Sequence, residues 1–262
     1  MNKWIKIFFF AGLLFLVSCT DNKSAQAKLI NEQGLKYHQE GEDSLARQLF
    51  IQAANMKGVS NEDKASYYRN AAISTLELPD SAKFFFSKAK SLNKPNSYEY
   101  LVNNAYIHLI NKKVDAAIAD LKKAYQLNKE GLAVNNMLGL IYLGEYGKDY
   151  FEPFKAIKFN FQSFELYKDD QSKFVLAKNY YYIGRYNKSL TLFQQLYASY
   201  PNDYDYLITI IMMHQENLNT IAANKLMETL KDENPERYQQ FLEENSITPG
   251  QHTLIWYKQN DQ

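Results

Sequence analysis

One spacing of small and large residues recurs six times along the chain and predicts a series of helices. A small residue is followed four positions later by a large one, and three positions after that by a small or apolar one, so all three share one helical face. Successive copies begin 33 to 39 residues apart. Their members are Ala46, Phe50 and Ala53; Ala82, Phe86 and Ala89; Ala117, Leu121 and Ala124; Ala156, Asn160 and Ser163; Ser189, Phe193 and Leu196; and Ala223, Met227 and Leu230.

A second helix is predicted upstream of each triplet. The clearest two carry Gly34-x-x-Tyr37 and Leu138-Gly139-x-x-Tyr142. Equivalent first helices are expected over roughly 63–76, 98–111, 170–183 and 204–217. Glycine and proline are sparse, and no Asn-Gly or Asp-Gly turn lies between alternating strands, so the predicted class is all-α.

The two patterns together resemble the tetratricopeptide repeat (TPR), a 34-residue unit with the motif W-x₂-L-G-x₂-Y…A-x₃-F…P. The resemblance covers about residues 27–237, and Pro201 and Pro235 stand at matching points after two triplets. It implies a right-handed α-α superhelix, a TPR solenoid of about six helix pairs, with a capping helix and tail in residues 238–262. Such a pair cannot bury its apolar face alone, so stacking supplies the core.

The fourth helix pair departs from this pattern. The stretch 144–153 forms a longer turn and resembles the related SEL-type repeat, which has a longer loop between its helices. Asn160 and Ser163 are expected to weaken the packing there, so a local irregularity is predicted. Further on, the segment 253–257 (Thr-Leu-Ile-Trp-Tyr) is apolar, and two interpretations stay open: packing on the last pair, or docking to a partner.

Residues 1–18 are predicted to be a lipoprotein signal peptide. Two lysines precede an apolar run of about eleven residues, which is too short to span a membrane. Leu16-Val17-Ser18-Cys19 then resembles the lipobox of bacterial lipoproteins, which implies cleavage before Cys19, the only cysteine, and lipid on its thiol. An ordinary signal peptide and an uncleaved anchor are the alternatives. Residues 19–26 would form a short lipidated linker.

The predicted location is the bacterial cell envelope, where the lipid would hold the protein to a membrane. In the best-known sorting rule, aspartate directly after the lipidated cysteine retains a lipoprotein at the inner membrane. Thr20 stands there instead, which favours the outer membrane.

Composition and motifs argue against several functions. The formal charge is +1 and becomes about −1 once Lys3 and Lys6 leave with the signal peptide, so nothing indicates nucleic-acid binding. Hydrolase, zinc and nucleotide-binding motifs are missing from the sequence. Its four histidines are scattered, and His108 and His214 occupy positions expected in the core. We therefore predict no catalytic residue, no metal, no cofactor and no enzymatic activity.

The TPR resemblance implies that first helices line a groove for a protein or peptide partner. Helical spacing is expected to direct an aromatic-rich set of side chains into it, namely Tyr67, Tyr106, Phe174, Lys178, Tyr181 and Tyr182. The alternative is that these tyrosines only pad a tightly wound stack. Two functions follow as hypotheses: a membrane-anchored scaffold for protein partners, or a lipoprotein that captures glycan or peptide through the groove aromatics.

Overall fold

The computed structural model describes residues 23–246, and side chains from 23 to 244. Cys19 and the segment 253–257 lie outside the described residues. Between residues 23 and 246 the chain forms α-helices, one short 3₁₀ turn and no strand, so the predicted all-α class is confirmed. The chain divides at Lys129–Glu130 into two compact units, unit 1 and unit 2.

Unit 1 contains three helix pairs in its described part. Each helix packs against the next one along the chain, as stacked hairpins do. The described part of α1 covers residues 23–39. The following helices are α2 (Asp43–Asn55), α3 (Asn61–Ile73), α4 (Pro79–Leu92), α5 (Tyr98–Ile110) and α6 (Val114–Leu127).

Unit 2 contains three further pairs and a final helix over its described residues. Here too each helix packs on its successor. The helices are α7 (Leu132–Tyr142), α8 (Pro153–Tyr167), α9 (Asp170–Tyr182), α10 (Tyr186–Ser199), α11 (Tyr204–Glu216), α12 (Thr220–Glu233) and α13 (Pro235–Ser246). Six pairs plus a C-terminal helix match the predicted solenoid.

The recurring triplets form the core of both units. Every member except Met227 is buried, with relative exposures between 0 and 3%. Met227 is half-buried. Burying each of the larger apolar side chains contributes about 1.5–3 kcal/mol to the free energy of unfolding. The triplets are therefore the positions at which each second helix packs against its neighbours.

Local chemistry sets where the first helices begin. Ser60, Ser97 and Asp169 precede α3, α5 and α9, and each side-chain oxygen accepts a hydrogen bond from a backbone N–H in the first turn. These N-caps satisfy donors that a helix start would otherwise leave free. Two second helices, α4 and α8, instead begin with proline, which lacks the N–H that would be unpaired there.

Helix α3 ends at Ile73, three residues before the predicted position. The hydroxyls of Ser74 and Thr75 both donate to the carbonyl of Ala71. Such local side-chain bonds compete with continuation of the helix. A five-residue turn therefore joins α3 to α4, where the sequence pattern predicted a longer helix.

The longer connection predicted in the fourth pair is present between α7 and α8. Its middle forms a 3₁₀ turn, Lys148–Tyr150, and both Gly144 and Gly147 have positive φ angles of 85° and 134°. Asn160, which stands where other pairs place Phe, Leu or Met, is buried against Gly139. The Nδ2 of Asn160 donates to Oδ1 of Asn179 at 2.8 Å, so a polar contact replaces the usual apolar one.

Candidate partner-binding site

The two predicted groove residues of unit 1 are both packed. Tyr67 is only 4% exposed and fills the space beside small residues such as Ala53 and Val59, which is what the padding alternative expected. Burial raises the pKa of Tyr67. Tyr106 is half-buried and stacks on Phe86, with 4.4 Å between ring centroids. Unit 1 therefore places these rings among core residues.

The other four predicted residues lie together on α9 in unit 2. Phe174 is half-buried and makes an edge contact with the core residue Phe193, at 5.9 Å between centroids. Lys178 is 6% exposed. Tyr181 and Tyr182 are half-buried near the end of the helix. The C-terminal half of α9 thus carries a lysine and three tyrosines within five positions, 178–182.

Four aromatic rings form a connected surface at this end of α9, which we call the aromatic cluster: Phe151, Tyr181, Tyr182 and Tyr186. Phe151 and Tyr182 lie edge to face at 5.1 Å. Tyr181 contacts Tyr182 at 5.8 Å and Tyr186 at 5.5 Å, both in T-shaped geometry. Each such ring pair contributes about 0.5–1.5 kcal/mol to stability in addition to the effect of burying its apolar surface. Phe151 and Tyr186 are each 39% exposed, so the cluster reaches the surface.

Helix α9 also holds the α7–α8 loop in place. The Nζ of Lys178 donates to Oε1 of Glu145 at 2.7 Å, and this pair has side-chain exposures of 7% and 26%. At the other end of the loop, Nδ2 of Asn179 donates to the carbonyl of Pro153 at 2.9 Å. Phe151, within the loop, rests on Tyr182. Lys178, which the sequence pattern placed in the groove, is therefore buried, and its charge is paired with that of Glu145.

A hydrogen bond links the cluster to α11. The hydroxyl of Tyr181 lies 2.8 Å from both carboxylate oxygens of Glu216. Burial, and then this hydrogen bond and the negative charge of Glu216, raise the pKa of Tyr181 well above its usual value. Tyr181 is therefore a neutral donor that orients a carboxylate, and it does not act as a base.

Tyr181→Phe tests this hydrogen bond through its pH dependence. Near pH 7 we expect a loss of about 1 kcal/mol in the free energy of unfolding, because one hydrogen bond is removed. A folded-state pKa raised above the unfolded value near 10 stabilises the fold below pH 10, and that contribution disappears as the pH rises further. The variant should therefore lose less stability than the parent between pH 9 and about 11, in urea titrations. Tyr186→Phe is the matched control, and equal alkaline losses in parent and Tyr181→Phe would contradict the assignment.

An open depression of about 430 Å³ adjoins Tyr186. Its walls come from the α9–α10 turn, the start of α10 and the end of α11. The lining residues are Gly184, Arg185, Tyr186, Asn187, Lys188 and Asn217. Two cations, two amides and one aromatic ring suit the carbonyl or carboxylate groups of a peptide.

The histidines give no sign of a metal site within the described chain. His108 is half-buried, and its Nε2 lies 3.1 Å from Nδ2 of Asn104, which in turn donates to Asp120 at 2.6 Å. Burial lowers the pKa of His214. No group of three metal-ligating side chains occurs among residues 23–244. No helix of the described part is both long and apolar enough to cross a membrane.

Comparison with known proteins identifies the fold. Neither the protein-family models nor the curated proteins contain a match. Among solved structures, PilF of Pseudomonas aeruginosa is similar, with 20% identity and a TM-score of 0.56 over 85% of this chain and 99% of that one. TTC0263, a thermophilic TPR protein of Thermus thermophilus, has 18% identity and a TM-score of 0.51 over 69% and 94%.

A third similar structure is YrrB, described as a TPR protein with an unusual peptide-binding site. It shows 18% identity and a TM-score of 0.53, over 70% of this chain and 92% of that one. Identities this low establish the fold alone. The helix pairs, the buried triplets and these likenesses together show that the chain has the TPR solenoid fold.

Proposed function

We propose that this protein is a lipid-anchored scaffold of the bacterial cell envelope, which binds a protein or peptide partner at the aromatic cluster of unit 2. The observation that carries the proposal is the connected set of rings at the end of α9, two of which are partly exposed beside a polar depression. Partly exposed aromatic side chains held by contacts with neighbouring rings are good anchors for a partner. The similar fold of YrrB, with its peptide-binding site, supports a peptide ligand.

The anchor rests on the sequence around Cys19. The charged start, the short apolar run and the lipobox-like Leu16–Cys19 together favour lipidation of its thiol. Each buried methylene contributes about 0.8 kcal/mol, so two or three acyl chains would hold the protein firmly. The protein would then work at a membrane surface, with the outer membrane favoured over the inner.

Cys19→Ala tests the anchor by membrane fractionation. We expect the parent protein to be found in the membrane fraction. The variant should keep its signal peptide and lack the added mass of the lipid. Thr20→Asp serves as a second variant, and it should move the lipidated protein to the inner membrane where that sorting rule operates. If Cys19→Ala leaves both the mass and the lipid labelling of the protein unchanged, the anchor proposal is wrong.

Chemical crosslinking followed by pull-down tests partner binding. We expect one or more proteins to be enriched with the full chain and lost with the double variant Phe151→Ala and Tyr186→Ala. Phe154→Ala is the matched control, because Phe154 is 76% exposed but lies outside the aromatic cluster. If the cluster variant and the control recover the same partner proteins in equal amounts, the aromatic cluster is not the binding site.

The depression beside Tyr186 also favours a second candidate, capture of a small glycan or peptide. A ligand that binds only the folded state raises the melting temperature, and the rise grows with the logarithm of the ligand concentration divided by Kd. A thermal-shift screen of glycans and short peptides distinguishes the two functions. Stabilisation by a small ligand, removed by Tyr186→Ala, would favour capture over scaffolding.

A further inference from the structure

The last helix begins beside the start of α11 and packs against α12. Arg237, near the start of α13, donates from Nη2 to Oδ1 of Asp205 at 2.9 Å, and Asp205 stands near the start of α11. The two helices have 12 and 13 residues, and at 1.5 Å per residue both are about 18–20 Å long. Because α13 begins beside the start of α11 and both helices pack against α12, we expect α13 to run toward the side of unit 2 that carries the α11–α12 turn.

Large apolar side chains are exposed at this end of unit 2. Leu218 in the turn and Ile221 in the first turn of α12 are 85% and 84% exposed, and Leu242 on α13 is 38% exposed. We call Leu218 and Ile221, which are three positions apart at this turn, the terminal patch. Leu218 and Ile221 are the two most exposed large apolar side chains of the described chain. Soluble proteins scatter single apolar residues over the surface, but adjacent ones mark contact sites.

The backbone at Leu218 strengthens this interpretation. Its φ angle is +57°, a left-handed conformation that residues other than glycine seldom adopt. The same turn position has a positive φ in four other helix pairs, at Gly41, Lys112, Gly144 and Gly184. Leu218 is the apolar side chain among these five, so the turn places it at the surface.

We propose that the terminal patch is covered by this chain's own C-terminal segment, Leu254-Ile-Trp-Tyr257. The chain leaves α13 toward the side of unit 2 that carries the patch, and the seven residues between Ser246 and Leu254 can reach roughly 25 Å at up to 3.6 Å per residue. That reach exceeds the length of α12, whose 14 residues span about 21 Å, so the segment is long enough to meet Leu218 and Ile221. Its four apolar side chains match a patch that presents only aliphatic groups.

Such an intrachain cover would shield the exposed apolar side chains of the terminal patch from water. Terminal repeats of stacked proteins need an outer face that does not attract further copies. An aromatic segment held over Leu218 and Ile221 supplies that protection. The proposal does not depend on lipidation or on a partner, since it concerns only unit 2 and its own tail.

Trp256 provides a direct test, because Trp4 and Trp256 are the two tryptophans of the chain. In the full chain carrying Trp4→Phe, Trp256 fluorescence reports the segment alone. We expect Leu218→Asn with Ile221→Gln to shift the emission to longer wavelength and to increase quenching by acrylamide. Asparagine tolerates the left-handed conformation and glutamine suits a helix, so the fold is retained, which circular dichroism checks. Leu127→Gln is the matched control, because Leu127 is 60% exposed and belongs to unit 1.

Four outcomes would overturn the proposal. Emission and quenching that are the same in the patch variant and its parent would exclude the terminal patch as the binding site of the tail. A red shift of equal size in Leu127→Gln would show a non-specific effect. A blue-shifted emission that disappears on dilution would assign the patch to a second copy of the chain. Emission that becomes blue-shifted only after transfer from detergent into vesicles of phosphatidylethanolamine and phosphatidylglycerol would assign the segment to the membrane.

Discussion

Replacing Phe193 with alanine is expected to lower the free energy of unfolding by about 3–5 kcal/mol, the largest effect of any single substitution proposed for this chain. Phe193 is fully buried. It belongs to a cluster that joins Ala177 of α9, Leu207 of α11 and Phe241 of α13. Removing the ring leaves a cavity among several helices at once, and their packed backbones cannot collapse to fill it.

Urea titration followed by circular dichroism measures this loss. Phe193→Leu keeps most of the apolar volume, and its cost should be clearly smaller than that of Phe193→Ala. Phe154→Ala removes the same side chain from a site that is 76% exposed, and it should change stability by no more than about 0.5 kcal/mol. Similar losses at positions 193 and 154 would contradict the repeat register, which makes the first of them a core residue and the second a surface residue.

Gly139→Ala is expected to destabilise the fold by about 1–3 kcal/mol, although alanine is the better helix former. A Cβ at this position would lie 1.8 Å from Oδ1 of Asn160 and 2.8 Å from its Cγ. Asn160 has little room to move, because it is buried and bonded to Asn179, which holds the carbonyl of Pro153. The clash therefore also disturbs the end of the α7–α8 loop.

A double-mutant cycle separates the clash from other causes. Asn160→Ala alone should destabilise the fold, since Asn179 loses its partner and a cavity forms. In the Gly139→Ala background the same change makes space for the new methyl group. The double variant should therefore lose less stability than the two single losses added together. Purely additive losses would show that Gly139 and Asn160 do not meet.

The helix pairs could be predicted from the sequence because they depend on local periodicity. The triplets at Ala82, Ala117 and Ser189, for example, place small residues where two helices approach closely, and all of these are buried. The end of α3 could not be predicted in the same way. Its early stop depends on hydroxyl groups of Ser74 and Thr75 that bond back to Ala71, and the apolar pattern continues through them.

The candidate site was only partly predictable. Helical spacing brought Tyr181 and Tyr182 together on α9, but it could not show that Lys178 is buried by Glu145, since a loop conformation decides that contact. The sequence separation of Glu145 and Glu216 from their partners could have predicted both contacts. The two glutamates lie 33 and 35 residues from Lys178 and Tyr181, about one repeat away, where corresponding parts of neighbouring helix pairs meet.

The exposed ring of Tyr186 offers the most direct test of partner binding at the aromatic cluster. A photoreactive benzoylphenylalanine is introduced at position 186 of the full chain in living cells, and at position 154 as the control. Illumination should give a discrete crosslinked product with another protein from position 186 in the membrane fraction, and little or none from position 154. Crosslinking from position 154 but not from 186, or from neither, would contradict the claim that the aromatic cluster holds a partner.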